Sequence, residues 1–314
     1  MDEQMHRTNS GAVPTPQDTQ AQFLDAVYRL YAPHKDEVSG IAMALPGFVD
    51  NRTGYVSNGG ALLYNTATPV GQLLAEKCGC PVILENDGKA AAMAELANGA
   101  LKDCCNAAVF IIGTGVGGGI IANGQLVRGV HFTAGEYSFV NTNARRGTPR
   151  TRTWPASAAP AIYLNGTVPA RHCRRMPRWT VGAFLRRQCR RAGALEVLRR
   201  FCHAVAVQIY NLTVLLDVEK VAIGGGISKQ PLLLESLRSA YDGLYASRAG
   251  QAYMEGLPRC QIVPCAFSSE ANQVALPPHI LKLCRKNVDF QPVSWYYICR
   301  VLCTQNTKQG DFEP

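Results

Sequence analysis

The chain has 314 residues, a length that allows a large buried core and suggests about two domains. Hydrophobic residues make up 47% of it and charged residues 18%, which excludes a disordered protein and indicates a globular one. No apolar run reaches the roughly 18 residues that a membrane-spanning helix needs, and the polar first thirty residues contain no apolar signal-peptide core. We therefore expect no membrane partner.

The cysteines also bear on location. Twelve are scattered along the chain, and no Cys-x-x-Cys pair occurs among them. In a chain of this size, such scatter favours reduced thiols over a disulfide framework. We therefore expect a cytoplasmic protein.

The net charge of +9 is concentrated in one stretch. Residues 144–200 contain fourteen arginines, no lysine and one acid, which gives this window a charge of +13 and leaves −4 for the rest. A basic stretch can bind nucleic acid, but the aromatic residues that would interleave with it are sparse, so we expect no nucleic-acid partner. The alternative hypothesis is a shifted reading frame over 144–197, which sequencing of the source DNA tests.

The first part of the chain alternates helix-like and strand-like patterns. After a leader over 1–16 that we predict to be disordered, apolar residues at helical spacing predict a helix over 17–32. An apolar run over 38–45 predicts a buried strand, and the stretch 50–66, rich in Asn, Gly and Thr, predicts a loop or hairpin. The next elements are a helix, a strand, an Ala-rich helix and a strand over 69–77, 81–84, 88–99 and 107–112.

A glycine cluster over 113–119 follows the last of these strands. Ile120-Ile121 continues as a strand, Asn123-Gly124 is a hairpin signal, and 126–130 would be the return strand. The later elements are a helix, a strand, a helix and a strand over 198–216, 218–223, 231–245 and 260–264. Strands that alternate with helices in this way predict an α/β fold.

Two segments lack sustained periodicity, namely 144–197 and 277–314. The second contains an apolar but isolated group at 295–298. We predict no regular structure for either segment.

The glycine cluster allows two interpretations. Five glycines in seven residues let backbone N–H groups converge on phosphate oxygens, which predicts a phosphate-binding turn. The alternative is a tight hairpin bend with no ligand. The cluster is neither a Walker A loop, because no Gly-Lys-Ser/Thr follows, nor a dinucleotide fingerprint, because a strand and hairpin follow where a helix should.

Three further positions allow a functional or a structural interpretation. Asp87 follows a buried strand and opens a helix, so it is either a general base or a helix N-cap. The glycines at 224–226 either let an adenine ring lie against the backbone or form a tight strand-to-helix turn. Glu136, taken alone, reads as a surface acid.

Taken together and in order, these motifs resemble one family. They are the segments 46–50, 85–87, 113–119, 123–124, 134–136 and 223–228. Their combination resembles the ROK family (repressor, open reading frame, kinase) of bacterial sugar kinases over residues 12–143 and 198–274. The resemblance implies the two-lobed, actin/hexokinase-like ATPase fold and the ATP-dependent phosphorylation of a hexose or N-acetylhexosamine.

The resemblance also assigns roles on the sugar side. Asp87 corresponds to the general base that takes the proton from the sugar hydroxyl. Asn86 and Glu136 correspond to residues that bind sugar hydroxyls, and Asn58 and Gly59 in the 50–66 stretch are assigned to substrate binding with them.

On the nucleotide side, the resemblance implies ATP and Mg²⁺ as cofactors. Thr114, Gly115, Gly117 and Gly118 match a phosphate-binding turn. Gly225 and Gly226 match the turn on the adenosine side.

The sequence also departs from the family pattern. It contains no Asp-x-Gly-Gly-Thr turn, which in the family handles magnesium and the terminal phosphates. We therefore expect Asp87 to be necessary but not sufficient, and an inactive sugar-binding relative is the alternative function. Phe139 stands where the family's zinc motif has a histidine, so we expect no zinc.

The resemblance divides the chain into a sugar-binding lobe over 17–105 and a nucleotide-binding lobe over 106–274. We expect the first lobe to lack its initial strands, and the second to be interrupted by 144–197 and followed by an atypical tail over 275–314. About sixteen residues precede the first lobe, too few for the helix-turn-helix of the family's transcriptional regulators, so we favour the kinase. The resemblance suggests a homodimer.

Overall fold

In a computed structural model of the protein, the described residues are 13–113, 115–140, 192–226, 228, 230–247, 255–267 and 296–298. They form two compact units that divide between Asp87 and Gly88. The predicted lobe boundary at 105 stays a prediction. Thr114, residues 1–12, most of 144–197 and most of 275–314 lie outside the described residues.

The first unit contains most of the elements predicted before residue 87. They are α1 (Gln20–Tyr31), β1 (Ile41–Leu45), β2 (Phe48–Asp50), β3 (Tyr55–Asn58), α2 (Val70–Cys78), β4 (Val82–Asn86) and β10 (Tyr296–Ile298). β1 lies in the middle of a parallel sheet between β10 and β4, and β2 pairs with β3 as an antiparallel hairpin. The stretch at 50–66 thus contains part of a hairpin, one of the two predicted forms.

Local sequence explains the start of the first unit. The Thr19 hydroxyl accepts a hydrogen bond from the Gln22 backbone N–H at 3.3 Å and caps α1. Every residue of β1 is buried, as expected for a strand in the interior of a parallel sheet. The Tyr64 hydroxyl donates to the Pro16 carbonyl at 2.8 Å, so the end of the predicted leader is anchored.

The pairing of β10 with β1 corrects the prediction for the 295–298 group. Residues 296–298 run parallel to β1, with Ile41 opposite Tyr296. Because β1 is buried along its whole length, its backbone groups need partners along both edges. Because that pairing joins residues more than 250 positions apart, no local pattern could reveal it.

The described residues of the second unit form a mixed five-stranded sheet and three α-helices. Its elements are α3 (Asp87–Asn98, which begins at the unit boundary), β5 (Ala107–Ile112), β6 (Val116–Ala122), β7 (Gln125–Val127), α4 (Ala192–Leu216), β8 (Lys220–Gly224), α5 (Pro231–Ala246) and β9 (Gln261–Pro264). The strand order is β7-β6-β5-β8-β9, with β8 parallel to β5 and β9, and β6 antiparallel to β5 and β7. The predicted α/β class is confirmed.

The glycine cluster is divided between a turn and a strand. β6 begins at Val116, so the three glycines at 117–119 belong to this strand and not to the turn that the sequence predicts. The second hairpin is confirmed, because Asn123 and Gly124 have φ angles of +52° and +69°, both positive as a type I′ turn requires. Its return strand β7 ends at Val127, earlier than expected.

The helix α4 also begins earlier than predicted. It starts at Ala192 and not at 198, so residues 192–197 are helical although the sequence analysis placed them in a segment without regular structure. Alanine and leucine favour the helix at this end, which explains the extension.

Both faces of the second sheet are covered. Ala108, Phe110 and Ile112 of β5 pack in a core with α4 and α5, whereas Ala107 and Val109 pack in a core with α3. Alternate residues of a strand point to opposite faces, so one strand serves both cores. Within the described ranges, no helix combines the length and hydropathy that crossing a membrane requires.

A buried carboxylate ties α3 to the end of the sheet. Glu95 is 0% exposed. Its Oε2 accepts hydrogen bonds from the backbone N–H groups of Ala100 at 2.8 Å and Ala266 at 3.0 Å, and its Oε1 accepts one from Phe267 at 2.8 Å. The segment after β9 is thereby fixed against the C-terminal end of α3.

We expect Glu95→Gln to lower the free energy of unfolding by about 1–3 kcal/mol, because the amide can accept at only one oxygen and places an N–H against a buried backbone N–H. Urea denaturation measures the change. Glu235→Gln on the exposed side of α5 is the matched control and should change stability by less than about 0.5 kcal/mol. Equal stability of the two variants would contradict this account of Glu95.

Candidate active site

One edge of the first sheet carries the Asn86-Asp87 pair. β1 and β4 are parallel with Leu45 opposite Asn86, so the Pro46-Gly47 turn and Asp87 both follow at the carboxyl edge. Ligand groups in open α/β sheets bind at this edge. Asn86 is buried, and its Nδ2 donates a hydrogen bond to the Gly47 carbonyl at 2.8 Å.

The predicted residues of the β3 end lie beside the same turn. Gly47 has a φ of +93°, and a Cβ there would collide with the Asn58 carbonyl oxygen. Asn58 Oδ1 accepts a hydrogen bond from the Gly60 N–H at 2.8 Å, and the Gly59 N–H donates to Thr66 Oγ1 at 3.0 Å. The structure thus brings Asn58, Gly59 and Asn86 together around Gly47.

Asp87 is the first residue of α3, and its side chain is exposed. The positive end of the helix dipole stabilises a negative charge at this position. The position is compatible with both interpretations that the sequence leaves open. Asp87 either stabilises the N-terminus of its own helix or accepts a proton from a substrate. The role of general base stays a prediction.

Glu136 is not the surface acid that it suggests when taken alone. Its carboxylate Oε1 lies 2.9 Å from the ammonium Nζ of Lys89, and the two side chains are 15% and 1% exposed. Burial raises the pKa of the Glu136 carboxyl above its usual value, and the charge and hydrogen bond of Lys89 oppose that rise. An ion-paired carboxylate that is mostly buried but still reaches the surface can accept hydrogen bonds from a polar ligand.

Glycines explain how the backbone segments that carry this pair approach each other. A Cβ on Gly88 would lie 2.6 Å from the Gly118 nitrogen, and one on Gly135 would lie 3.0 Å from the Gly119 Cα. The first contact is closer than a side chain allows, and the second is tighter than most real Cβ contacts. The start of α3 and the turn before Glu136 therefore pack directly on β6.

The two nucleotide turns predicted from the sequence also lie side by side. β5 and β8 are parallel with Ile111 opposite Gly224, so the turns after them share one edge of the second sheet. The Gly113 N–H donates to the Gly115 carbonyl at 2.9 Å and closes the first turn. Gly225, with a φ of +91°, packs so closely on Ile112 that a Cβ would collide with its carbonyl oxygen.

The remaining glycines of these turns differ in their surroundings. A Cβ on Gly117 or Gly226 would meet no described atom within 4 Å, so both leave open space beside the backbone. Gly118 is buried, and a Cβ there would collide with the Val109 carbonyl, so packing alone accounts for this glycine. The nucleotide roles of Gly115, Gly117, Gly118, Gly225 and Gly226 stay predictions, and Thr114 lies outside the described residues.

Sequence reasoning missed two buried charges on α3, Lys89 and Glu95. Every residue from Gly88 to Glu95 is buried, and most of the others are small and apolar. A helix buried all round cannot leave a lysine or a glutamate unpaired without a large free-energy penalty. The signal was therefore the presence of two charges in an Ala-rich helix that lacks a polar face.

Metal ligands do not gather in the part of the chain that the structure describes. No group of three or more His, Cys, Asp or Glu side chains lies close enough there to hold a metal ion. Phe139, in the place of the family's zinc-motif histidine, is 61% exposed.

The sequence profile of the ROK family matches residues 1–153 and 177–271. The chain is 30% identical over 224 residues to a beta-glucoside kinase from Listeria monocytogenes, an alignment that covers 68% of this chain and 73% of that protein. The profile thus continues into both ends of the Arg-rich window and omits only its centre.

Solved structures agree with this match. A ROK family protein from Streptococcus pneumoniae in complex with sucrose aligns with a TM-score of 0.70 and 24% identity, over 89% of this chain and 90% of that one. A ROK family glucokinase from Streptomyces griseus in complex with glucose and AMPPNP aligns with a TM-score of 0.64 and 21% identity, over 87% and 92%. These similarities confirm the predicted actin/hexokinase-like fold. With most of its length matched by the family profile, the chain belongs to the ROK family.

Proposed function

We propose that this chain transfers the γ-phosphoryl group of ATP to a hydroxyl of a hexose or N-acetylhexosamine. The observation that carries the proposal is the position of Asn86-Asp87 at the carboxyl edge of the β1–β4 pair in a ROK-family chain. The beta-glucoside kinase relative and the glucokinase complex with glucose and AMPPNP, an ATP analogue, support this reaction class.

The chemistry that we assign to the chain needs one proton acceptor. The sugar hydroxyl oxygen forms a bond to the γ-phosphorus, the bond from that phosphorus to the bridging oxygen of ADP breaks, and Asp87 accepts the hydroxyl proton. An exposed carboxylate at a helix N-terminus suits this role, because the substrate can reach it and it carries a negative charge.

On the sugar side, we assign hydrogen bonding of the hydroxyls to Asn58, Gly59, Asn86 and Glu136. Asn58, Gly59 and Asn86 are held in place around Gly47 by backbone and side-chain hydrogen bonds. Glu136 is held by Lys89. Groups fixed in this way lose little conformational entropy when a sugar binds, which favours affinity.

On the nucleotide side, the open space beside Gly117 and Gly226 fits the close approach of phosphate and adenosine to the backbone. We therefore assign ATP to the adjacent turns that contain Gly115 and Gly225. Because the described residues offer no three-ligand cluster, Mg²⁺ would be held largely by the ATP phosphate oxygens, with few protein ligands. When bound, Mg²⁺ neutralises charge on the phosphates.

We place the reaction in the cytoplasm. Seven of the cysteines lie among the described residues as free thiols, at Cys78, Cys80, Cys104, Cys105, Cys202, Cys260 and Cys265. Thiols stay reduced in that compartment, which also supplies ATP.

The proposed reaction requires sugar-dependent ADP release when the chain is given ATP, Mg²⁺ and a panel of glucose, mannose, N-acetylglucosamine, N-acetylmannosamine and a β-glucoside, whereas an inactive relative, the alternative of the sequence analysis, would release none. Asp87→Asn should lower the rate by about 10²–10⁴-fold, because the amide cannot accept the hydroxyl proton. Asp36→Asn, at an exposed aspartate after α1, is the matched control and should keep the rate. Equal rates for Asp87→Asn and the wild type would remove Asp87 as the base.

The same panel distinguishes the second candidate, an inactive sugar-binding relative, which the lack of an Asp-x-Gly-Gly-Thr turn favours. Calorimetry with each sugar would then show binding without ADP release. Neither binding nor ADP release with any sugar of the panel would contradict both candidates.

We expect Gly117→Ala to weaken ATP binding about tenfold, which equals about 1.4 kcal/mol, while the protein keeps its stability. The added methyl group meets no described atom of the protein, but it occupies the open space that we assign to phosphate. Calorimetric titration with ATP and Mg²⁺ measures the affinity. Gly243→Ala on α5, also in open space, is the control, and equal ATP affinity for both variants would argue against a phosphate site here.

A further inference from the structure

The ion pair between Lys89 and Glu136 makes and breaks no bond in the phosphoryl transfer assigned above, so the presence of a lysine here needs a separate explanation. The Lys89 side chain is 1% exposed, and its Nζ lies 2.9 Å from Glu136 Oε1. Taking an ammonium group out of water is expensive, and often an apolar residue in its place would be at least as stable. Core packing therefore gives no reason for a lysine at this position.

We infer that Lys89 is a positioning residue for sugar binding, whose ammonium group holds Oε1 of Glu136 so that Oε2 accepts a sugar hydroxyl. This inference rests on the proposed function. Among the described residues, Lys89 Nζ donates the hydrogen bond that the Glu136 carboxylate accepts. This bond occupies Oε1, one of the two carboxylate oxygens. The free rotation that an unpaired carboxylate would have is thereby removed before the sugar arrives.

The backbones on both sides of the pair are held firmly. Lys89 follows Gly88, which packs on Gly118 of β6. Glu136 is followed by Tyr137, a buried residue whose ring stacks on Phe110 at 3.9 Å between centroids and 9° between planes. Both backbones are thus held by close packing, and the Lys89 ammonium group contacts the carboxylate between them at Oε1.

Charge gives Lys89 a second effect on the same carboxylate. Burial raises the pKa of Glu136, and Lys89 opposes this. Without the ammonium group, the pKa would rise further, so the ionised form would be lost at a higher pH as the pH falls. Sugar affinity would then decline under mildly acidic conditions in which the wild type keeps its affinity.

Other ionisable groups near Glu136 do not replace this charge. The segment before it carries Arg128, whose Nη2 lies 3.6 Å from Met93 Sδ, and His131, which is exposed. The first turn of α3 adds Asp87, also exposed, and β6 has no charged residue. In the described part of the chain, Lys89 is the one cation that shifts the pKa of Glu136.

The test compares the wild type with Lys89→Met, of similar length but uncharged, and Lys89→Arg, which keeps the charge. Glucose affinity is measured by calorimetry from pH 5 to pH 8, the KM and kcat are measured with glucose, and the Glu136 carboxyl is titrated by carbon-13 NMR without sugar. We expect Lys89→Met to weaken glucose binding about tenfold at pH 7, with a larger loss at pH 5 and a raised Glu136 pKa. KM should rise more than kcat falls, and Lys89→Arg should recover most of the affinity.

The outcomes separate this inference from the function on which it rests. A wild type that binds no sugar and releases no ADP overturns the proposed function. A wild type that binds glucose, beside a Lys89→Met variant with the same affinity, pH profile and Glu136 titration, overturns the inference alone.

Folding of the variant is followed by thermal unfolding. Should Lys89→Met not fold, the wild type still decides: glucose must shift the Glu136 carboxyl resonance and leave the Lys89 ammonium resonance in place. An unshifted Glu136 resonance or a released Lys89 overturns the inference.

Discussion

The direct packing of α3 on β6 is the constraint on which much of the second unit depends. Gly88 lies against Gly118, and Gly119 leaves room for Ala92, so helix and strand backbones approach more closely than side chains would allow. This approach buries the whole first half of α3 and therefore forces both of its interior charges to find partners. Lys89 and Glu95 lie near the two ends of the buried stretch. Lys89 pairs with the Glu136 side chain, and Glu95 accepts hydrogen bonds from three backbone amides.

The sheet edges provide the second organising element. In the first unit, the end of β4 places Asn86 against the Gly47 turn, and a hydrogen bond joins them. In the second unit, β5 and β8 end together, and Gly225 after β8 packs on Ile112 at the end of β5. Parallel pairing thus brings together residues that are distant in sequence. Each unit holds its own set of polar or glycine-rich strand ends.

Local patterns predicted the strands and helices well where a single signal dominated. β5 was predicted at its observed bounds because six apolar residues stand between turn signals. The glycine cluster was predicted as one turn although its last three glycines lie in β6, because glycine suits both a turn and a closely packed strand. β10 was missed because its pairing with β1 joins distant residues, and Lys89 because its partner stands 47 positions away. Asn58, Gly59 and Asn86 were assigned to one site by resemblance, and the structure places them around Gly47. The positions of these residues do not by themselves assign their chemical roles.

The Glu95 contacts have a consequence for how the second unit folds. They join residues 171 and 172 positions apart, so this carboxylate acquires its full set of donors only when nearly the entire unit has assembled. Contacts of such long range slow the search for the native state. The segment after β9 supplies two of the three donors described for Glu95, so a chain cut before Ala266 would leave this buried carboxylate with the Ala100 N–H alone among those donors.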